Sequence, residues 1–374
     1  EELCAALFLN SWSKIIVIIL MPPFLQFLIR RLFSAFVSLV IITMVLYAGV
    51  MLTPPEARAR LYLPPGKGGD RASEAFIGVL IRTHHLDEPY LVQYFYWAKS
   101  LLTGSWGYSP TLNADVLPSL LHRTPATLEL ALYSLLLLIP LGLASGLISG
   151  WRPGGIFDNG FRSLAFLGTS MPSFILSMIL IAVFYIQLDW LAPGRIDVTT
   201  ELKMYRTGFV EYTGALTLDS LLNGQIDVFF AAIRHLIMPV FTLSIYHWAT
   251  LGRITRATIL NERGKEYITA ARARGVKESS LIWKHALRAI LAPSLTAMVL
   301  SAASIVTGLF VIEIIFGLTG VSQVIVISMN SSPDAPAALG FAVYSVIMVL
   351  GLMFVLDAIQ ALLDPRVREE VLKT

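Results

Sequence analysis

The chain has 374 residues, 56% of them apolar and only 14% charged, with a mean hydropathy of +0.70. A soluble domain carries roughly 25% charged residues, so this composition excludes an ordinary water-soluble protein. A net charge of +3 gives no reason to expect nucleic acid as a partner, and a single cysteine, Cys4, excludes an intrachain disulfide or a cysteine-based metal site.

Residues 1–29 read as an N-terminal extension of uncertain character. Ile15–Ile29 is uncharged but broken by Pro22–Pro23, a pattern shared by a poor span, a signal-like stretch and a surface helix. The chain starts at Glu1, and Met21, shortly before Arg30–Arg31, is a candidate native start.

Six apolar runs then follow, each near the roughly 20 residues a bilayer crossing requires. The first span falls within 30–52, as Leu32–Leu52, and an outer loop region fills 53–125. A core domain over 126–374 holds Ala126–Gly150, Ser163–Leu188, a short run centred on Leu236–Leu251 whose helix is open to continuing through Arg253, Ala289–Ile312 and Ala335–Leu356. In lipid each must be helical, since no water satisfies bare backbone groups. The runs do not alternate as barrel strands would. The fold class is therefore an all-α membrane protein of about six transmembrane helices. Pro140, Pro172 and Pro239 fall inside runs, where they either kink a helix or are simply tolerated.

Lysine and arginine set the orientation. Arg30–Arg31, Arg152 and Arg162, the nine basic residues from Arg253 to Arg288, and Arg366, Arg368 and Lys373 all fall on one side if the spans alternate. The Gly317–Asp334 loop, on the other side, has none. Both termini are expected in the cytoplasm. The long Thr53–Pro125 and Asp189–Arg234 segments would face outward.

The most informative segment is Glu262–Pro293, within a loop at 253–291. Lys265–Arg274 favours helix, Gly275 suits the left-handed position that ends one, and Glu278–Ile290 predicts a second helix with an acid at its positive end. Ala270, Ala271 and Ala273 make the first helix slim, Tyr267 and Ile268 add apolar contact, and arginines rim it. Such a hairpin can dock into a groove on another protein or be a plain positive-inside loop.

This segment resembles the cytoplasmic coupling loop of ABC importer permeases, whose motif reads Glu-Ala-Ala, three residues, Gly, nine residues, Ile-x-Leu-Pro. Here Thr269-Ala270-Ala271, Gly275 and His285-Ala286-Leu287-Arg288 take those places, without the motif's Glu, Ile and Pro. The version from Tyr267 through Arg274-Gly275 to His285–Arg288 is similar to the dipeptide/oligopeptide/nickel permease subfamily. The similarity runs from about Arg30 onward, through Leu86-Asp87-Glu88-Pro89 with Gln93-Tyr94, Gly104–Ser109, Arg123–Leu130, Ser170–Phe174, Leu218–Leu222, His235–Pro239, Gly308–Glu313 with Phe316, and Asp364-Pro365-Arg366. Ser105, Trp106, Thr319 and Ser322 depart from that subfamily's pattern.

The resemblance implies a type I importer permease in a bacterial or archaeal inner membrane, without a catalytic site or cofactor of its own. It implies a second, homologous permease subunit, two ATP-binding subunits and an extracytoplasmic solute-binding protein as partners. Tyr267, Thr269, Ala270, Ala271, Arg274 and Gly275 would carry the ATPase coupling. The cargo would be a dipeptide, an oligopeptide, a nickel chelate or another small solute. Gly66-Lys67-Gly68 lacks the spacing of a phosphate loop. An ion-coupled secondary transporter is the alternative, but mid-membrane carboxylates and symmetric halves are not evident. A membrane hydrolase would need clustered titratable groups. Glu129, Glu313 and Asp357 lie near span ends and are expected to be structural, and His235 and His247 to be satisfied helix residues rather than ligands.

Overall fold

In a computed structural model, residues 23–59, 74–282, 287–330 and 334–363 are described. Residues 1–22 of the expected extension 1–29, Gly66–Gly68, His285–Ala286 and Asp364–Arg366 lie outside them, while 23–29 belong to the first helix.

The described chain is helical almost throughout. Helix α1 (Pro23–Val50) leads into short α2 (Pro55–Ala59), α3 (Glu74–Thr83) and α4 (Tyr90–Leu102). A two-residue antiparallel hairpin, β1 (Tyr108–Ser109) with β2 (Ala114–Asp115), joins them to α5 (Val116–Trp151). Next come α6 (Ile156–Ser170), α7 (Ser173–Leu180, prolonged by a π-helical stretch Ile181–Gln187), α8 (Val198–Thr207) and α9 (Leu216–Leu222). Helices α10 (Ile226–Glu262), α11 (Glu266–Ala273), α12 (Glu278–Ser280), α13 (Leu287–Phe316), α14 (Ser322–Asn330) and α15 (Ala335–Leu363) complete the chain.

Five of these helices are long and apolar enough to cross a membrane, in α1, α5, α10, α13 and α15, and the pair α6–α7 with its π-helical end makes a sixth if taken as one bent span. The protein is thus a multi-pass membrane protein. Large apolar side chains face outward along α1, Phe33 and Val45 among them, as lipid or a partner surface requires.

Four expectations need correction. The third span is not one straight helix: α6 and the helix after it meet at 104°. Pro172 has no N–H and drives the preceding residue out of helical geometry, and Met171 is indeed extended, at φ −98° and ψ 125°. The fourth span is longer than the short run with its continuation through Arg253: α10 extends from Ile226 to Glu262, with Pro239 inside it. The second starts at Val116, ahead of Ala126; Arg123 and Thr124 turn back onto the carbonyls of Ser119 and Leu120 at 2.9 and 2.8 Å. The Gly317–Asp334 loop contains a helix of its own, α14.

The core forms where α5, α10 and α13 meet, around Leu130, Leu138, Leu243, Leu251, Ile305 and Leu309. Along α5, Gly142, Gly146 and Gly150 recur every fourth residue and let α10 lie against the helix backbone, the small-residue packing typical of membrane helices. A Cβ on Gly146 would stand 2.7 Å from that of Thr255, and one on Gly150 would stand 2.6 Å from Cγ2 of Ile259.

Candidate functional site

One end of the bundle carries Arg152, Arg253, Arg256, Arg263, Arg272 and Arg274, on the α5–α6 turn, the end of α10 and the α11–α12 hairpin. This basic end contains every sequence-predicted site residue.

Helix α11 is short and surface-lying. Lys265 is extended before it and Glu266 places an acid in its first turn, which suits the helix dipole. Its far end closes as a Schellman motif: Gly275 N–H donates to Arg272 O at 3.0 Å and Val276 N–H to Ala271 O at 3.2 Å. Gly275 supplies the left-handed turn, at φ +80°. The expected helix-ending role of this glycine is therefore met. Helix α12 starts at Glu278 as expected, and the region 287–290 opens α13 instead of ending a separate helix.

Ile268 and Ala271, three apart and so on one face, point inward and are buried. Tyr267, Thr269, Ala270, Arg274 and Gly275 are exposed. Of the six residues expected to form one docking face, Ala271 alone turns away. The exposed side is small-residued at its middle and basic at its rim.

The hairpin is anchored by groups the sequence did not single out. Glu262, buried at the end of α10, accepts from Lys265 Nζ at 2.5 Å and from the Tyr267 hydroxyl at 2.7 Å. Burial of the Tyr267 hydroxyl, then its bond to Glu262, pushes its pKa up to about 12. Glu278 accepts from Arg272 Nε at 2.6 Å and from the indole N–H of Trp151 at 3.0 Å. The Arg272 contact holds Glu278 below the usual carboxylate range. Both charges are exposed, so this pair contributes little stability. Arg263 donates to the carbonyl of Trp151 at 3.1 Å, satisfying an orphan acceptor at the end of α5. Deeper, Ile259 packs with Leu147, Trp151 and Ile282.

A second clasp lies beside it. Arg256 on α10 grips Asp158 at the start of α6, which also accepts from Gly154 N–H at 2.8 Å and from the Ser149 hydroxyl. Turn, helix end and hairpin are thereby tied together by hydrogen bonds and one buried cluster.

The other singled-out carboxylates stand elsewhere and have structural partners. Glu129 accepts from Thr217 N–H at 2.7 Å and Leu216 N–H at 3.3 Å, and pairs with Arg195. Glu313 accepts from Ser322 through N–H at 3.0 Å and hydroxyl at 2.6 Å, so a residue that departs from the subfamily pattern completes this contact. Asp357 pairs with Arg31, linking α15 to α1. Among the described residues the Nδ1 of buried His235 has no hydrogen-bond partner, which corrects the expectation of a satisfied ring. Arg234, next to it in the helix, points elsewhere and donates to the carbonyl of Trp190 at 2.8 Å. Among the described residues no group of His, Cys, Asp or Glu is placed to hold a metal ion.

Comparison with known proteins gives a consistent picture. Residues 139–369 match the family described as binding-protein-dependent transport system inner membrane component, and residues 24–131 match its N-terminal counterpart. The chain is 30% identical over 345 residues to the dipeptide transport system permease protein DppB of Alkalihalophilus pseudofirmus, covering 92% of this chain and 99% of that one. It is 34% identical over 301 residues to the probable D,D-dipeptide transport system permease protein DdpB of Escherichia coli, covering 80% and 86%. It is 29% identical over 342 residues to the oligopeptide transport system permease protein AppB of Bacillus subtilis, covering 91% and 98%.

Proposed function

The chain belongs to the family of binding-protein-dependent transport system inner membrane components, and from that premise we propose that it is one permease half of an ABC importer for short peptides. Its relatives are named for dipeptide and oligopeptide transport, which favours a peptide cargo. In this reading the basic end faces the cytoplasm, in keeping with the preference of lysine and arginine for that side, and both termini lie there. A homologous second permease, two ATP-binding subunits and an extracytoplasmic solute-binding protein complete the transporter.

The observation that carries the reading is the α11 hairpin. A slim helix with a basic rim, capped by a left-handed glycine, stands outside the bundle while its root is bonded to the ends of α5 and α10. A helix offered in this way fits a groove on a partner, and its ties to two long membrane helices give a partner's motion a path into the bundle. Tyr267, Thr269, Ala270, Arg274 and Gly275 would meet the ATP-binding subunit. Ala271 would set the helix against its own protein.

Uptake of a labelled dipeptide into vesicles holding the full assembly tests the reading. Uptake that needs ATP inside the compartment of the basic end, and survives collapse of proton and sodium gradients, is the expected result. Uptake driven by an ion gradient without ATP would replace it with a secondary transporter.

A further inference from the structure

At the end of the bundle opposite the hairpin, the outer end of α1, the helices α3 and α4, the segment before β1 and the start of α15 enclose a cavity of about 570 Å³. Its volume is within the range of small-ligand sites. The groups around it are unusual in their charge balance. Arg58, His84 and His85 line the cavity, and among the described residues no aspartate or glutamate does. Arg58 is 5% exposed. Among the described residues its partners are Gln93 Oε1 at 2.6 Å, the carbonyl of Leu86 at 3.0 Å and the sulfur of Met51, none of them a carboxylate. Among the described residues its buried Nε has no partner.

A guanidinium withdrawn from water without a counter-charge is costly. Its orientation is nevertheless fixed. Gln93 is itself buried and donates to the carbonyl of Leu86 at 3.0 Å while accepting from Arg58. The remaining wall is aromatic: Tyr47 stacks on Trp97 at 4.9 Å, and Tyr96 stacks on His85 at 4.1 Å with the rings 7° apart. His85 holds that stack from a left-handed backbone, at φ +55°, a conformation that persists at sites where the surroundings hold it in place.

We propose that this cavity binds a small anion, a carboxylate or a phosphate, carried on an apolar or aromatic body, with Arg58 as its counter-charge and the ring wall as its apolar seat. Two sources supply that chemistry: the free C-terminus of a short peptide from solution, and the headgroup of an anionic phospholipid. The cavity is bounded by Pro336, Leu339 and Gly340 of α15 as well as by the α3–α4 layer, so an occupant bridges the peripheral helices to a membrane helix. The inference rests on Arg58 and its surroundings and stands whether or not the transport reading does.

The test follows tryptophan fluorescence of the full chain in phosphatidylcholine nanodiscs, since Trp97 and Trp106 line the site. The probes are the dipeptide Ala-Phe as free acid, the same dipeptide as C-terminal amide, and nanodiscs that include phosphatidylglycerol. A saturable change with the acid, at least tenfold weaker with the amide and with Arg58→Gln, supports a site for a solution carboxylate. A change only with phosphatidylglycerol, lost in Arg58→Gln, supports the same site with a lipid as its source. Acid and amide binding alike, no response to any probe, or an unaltered response in a folded Arg58→Gln overturns the proposal. The acid–amide comparison needs no variant, so it decides even if Arg58→Gln fails to fold.

Discussion

Arg256 and Asp158, from different helices, form a two-point ion pair, with Nε 2.6 Å from Oδ1 and an outer nitrogen 2.9 Å from Oδ2. Asp158 is buried and the arginine side chain is 21% exposed. Removing one partner of such a pair strands the other, at a cost of about 3 kcal/mol. Asp158→Asn and Arg256→Gln are each expected to lower the melting temperature in detergent by roughly 5 °C. The double variant should fall short of the sum by about 1–3 kcal/mol. Strict additivity would mean that the pair does not clasp α6 to α10.

Gly275 gives a sharper test of the hairpin. Its φ of +80° suits glycine, is tolerated by asparagine, and is strained for a β-branched residue. Among the described residues no atom outside its own neighbours stands within 4 Å of a Cβ placed there, so within the described chain substitution changes only the cap. Gly275→Val should unwind the end of α11, at a cost of about 1–2 kcal/mol, and abolish coupled uptake while the melting temperature stays close to that of the parent. Gly275→Asn should keep most of both. Full uptake and full ATPase stimulation by Gly275→Val would remove the coupling role from this hairpin.

What the sequence disclosed follows from how far apart the interacting residues lie. The apolar runs, the cap at Gly275 and the break foreshadowed by Pro172 are local signals, and each is legible within a few residues. The full length of α10, beyond a continuation through Arg253, was hidden because Arg253 and Arg256 interrupt the apolar run. The structure shows why they are tolerated, at least for Arg256, whose charge is answered by Asp158. The anchors of the hairpin were hidden for another reason. Trp151 and Glu278 are 127 positions apart, and Arg263 and Trp151 are 112 apart. No periodicity reports such pairs. Ala271 was grouped with the docking face because the motif names it; its three-residue spacing from Ile268 was the cue that it turns inward.

The Tyr267 hydroxyl bound to Glu262 predicts a loss of order in strong base. With its pKa raised to about 12, the folded tyrosine keeps its proton where an unfolded one, near 10, has lost it. The unfolded state then binds fewer protons, so stability falls as pH rises from about 10 to about 12. Ultraviolet difference titration of the parent against Tyr267→Phe should show one phenol ionising near the upper value. The variant should also lose about 1 kcal/mol of local stability at neutral pH. A missing phenol that titrates in the ordinary range would show that the bond to Glu262 is not made.

Asp197 controls a helix on the opposite end of the molecule. It is the N-cap of α8, where it accepts from Thr200 N–H at 2.9 Å and the Thr200 hydroxyl at 2.8 Å. The Thr199 hydroxyl first, then the Thr200 groups, hold its pKa down to about 2 against the opposing effect of partial burial. A depressed carboxylate contributes its stability above its ordinary value, near 3.9, and loses it as pH falls toward about 2. Helix α8 has no fully buried side chain, and Met204 packs only partly buried against Leu216, Val228 and Ala232, so this cap carries much of its local order. Asp197→Ala should cost about 1 kcal/mol and speed tryptic cleavage after Lys203 and Arg206 by roughly fivefold at neutral pH, with the membrane helices untouched. Cleavage at the parental rate would mean that α8 is held by something other than its cap.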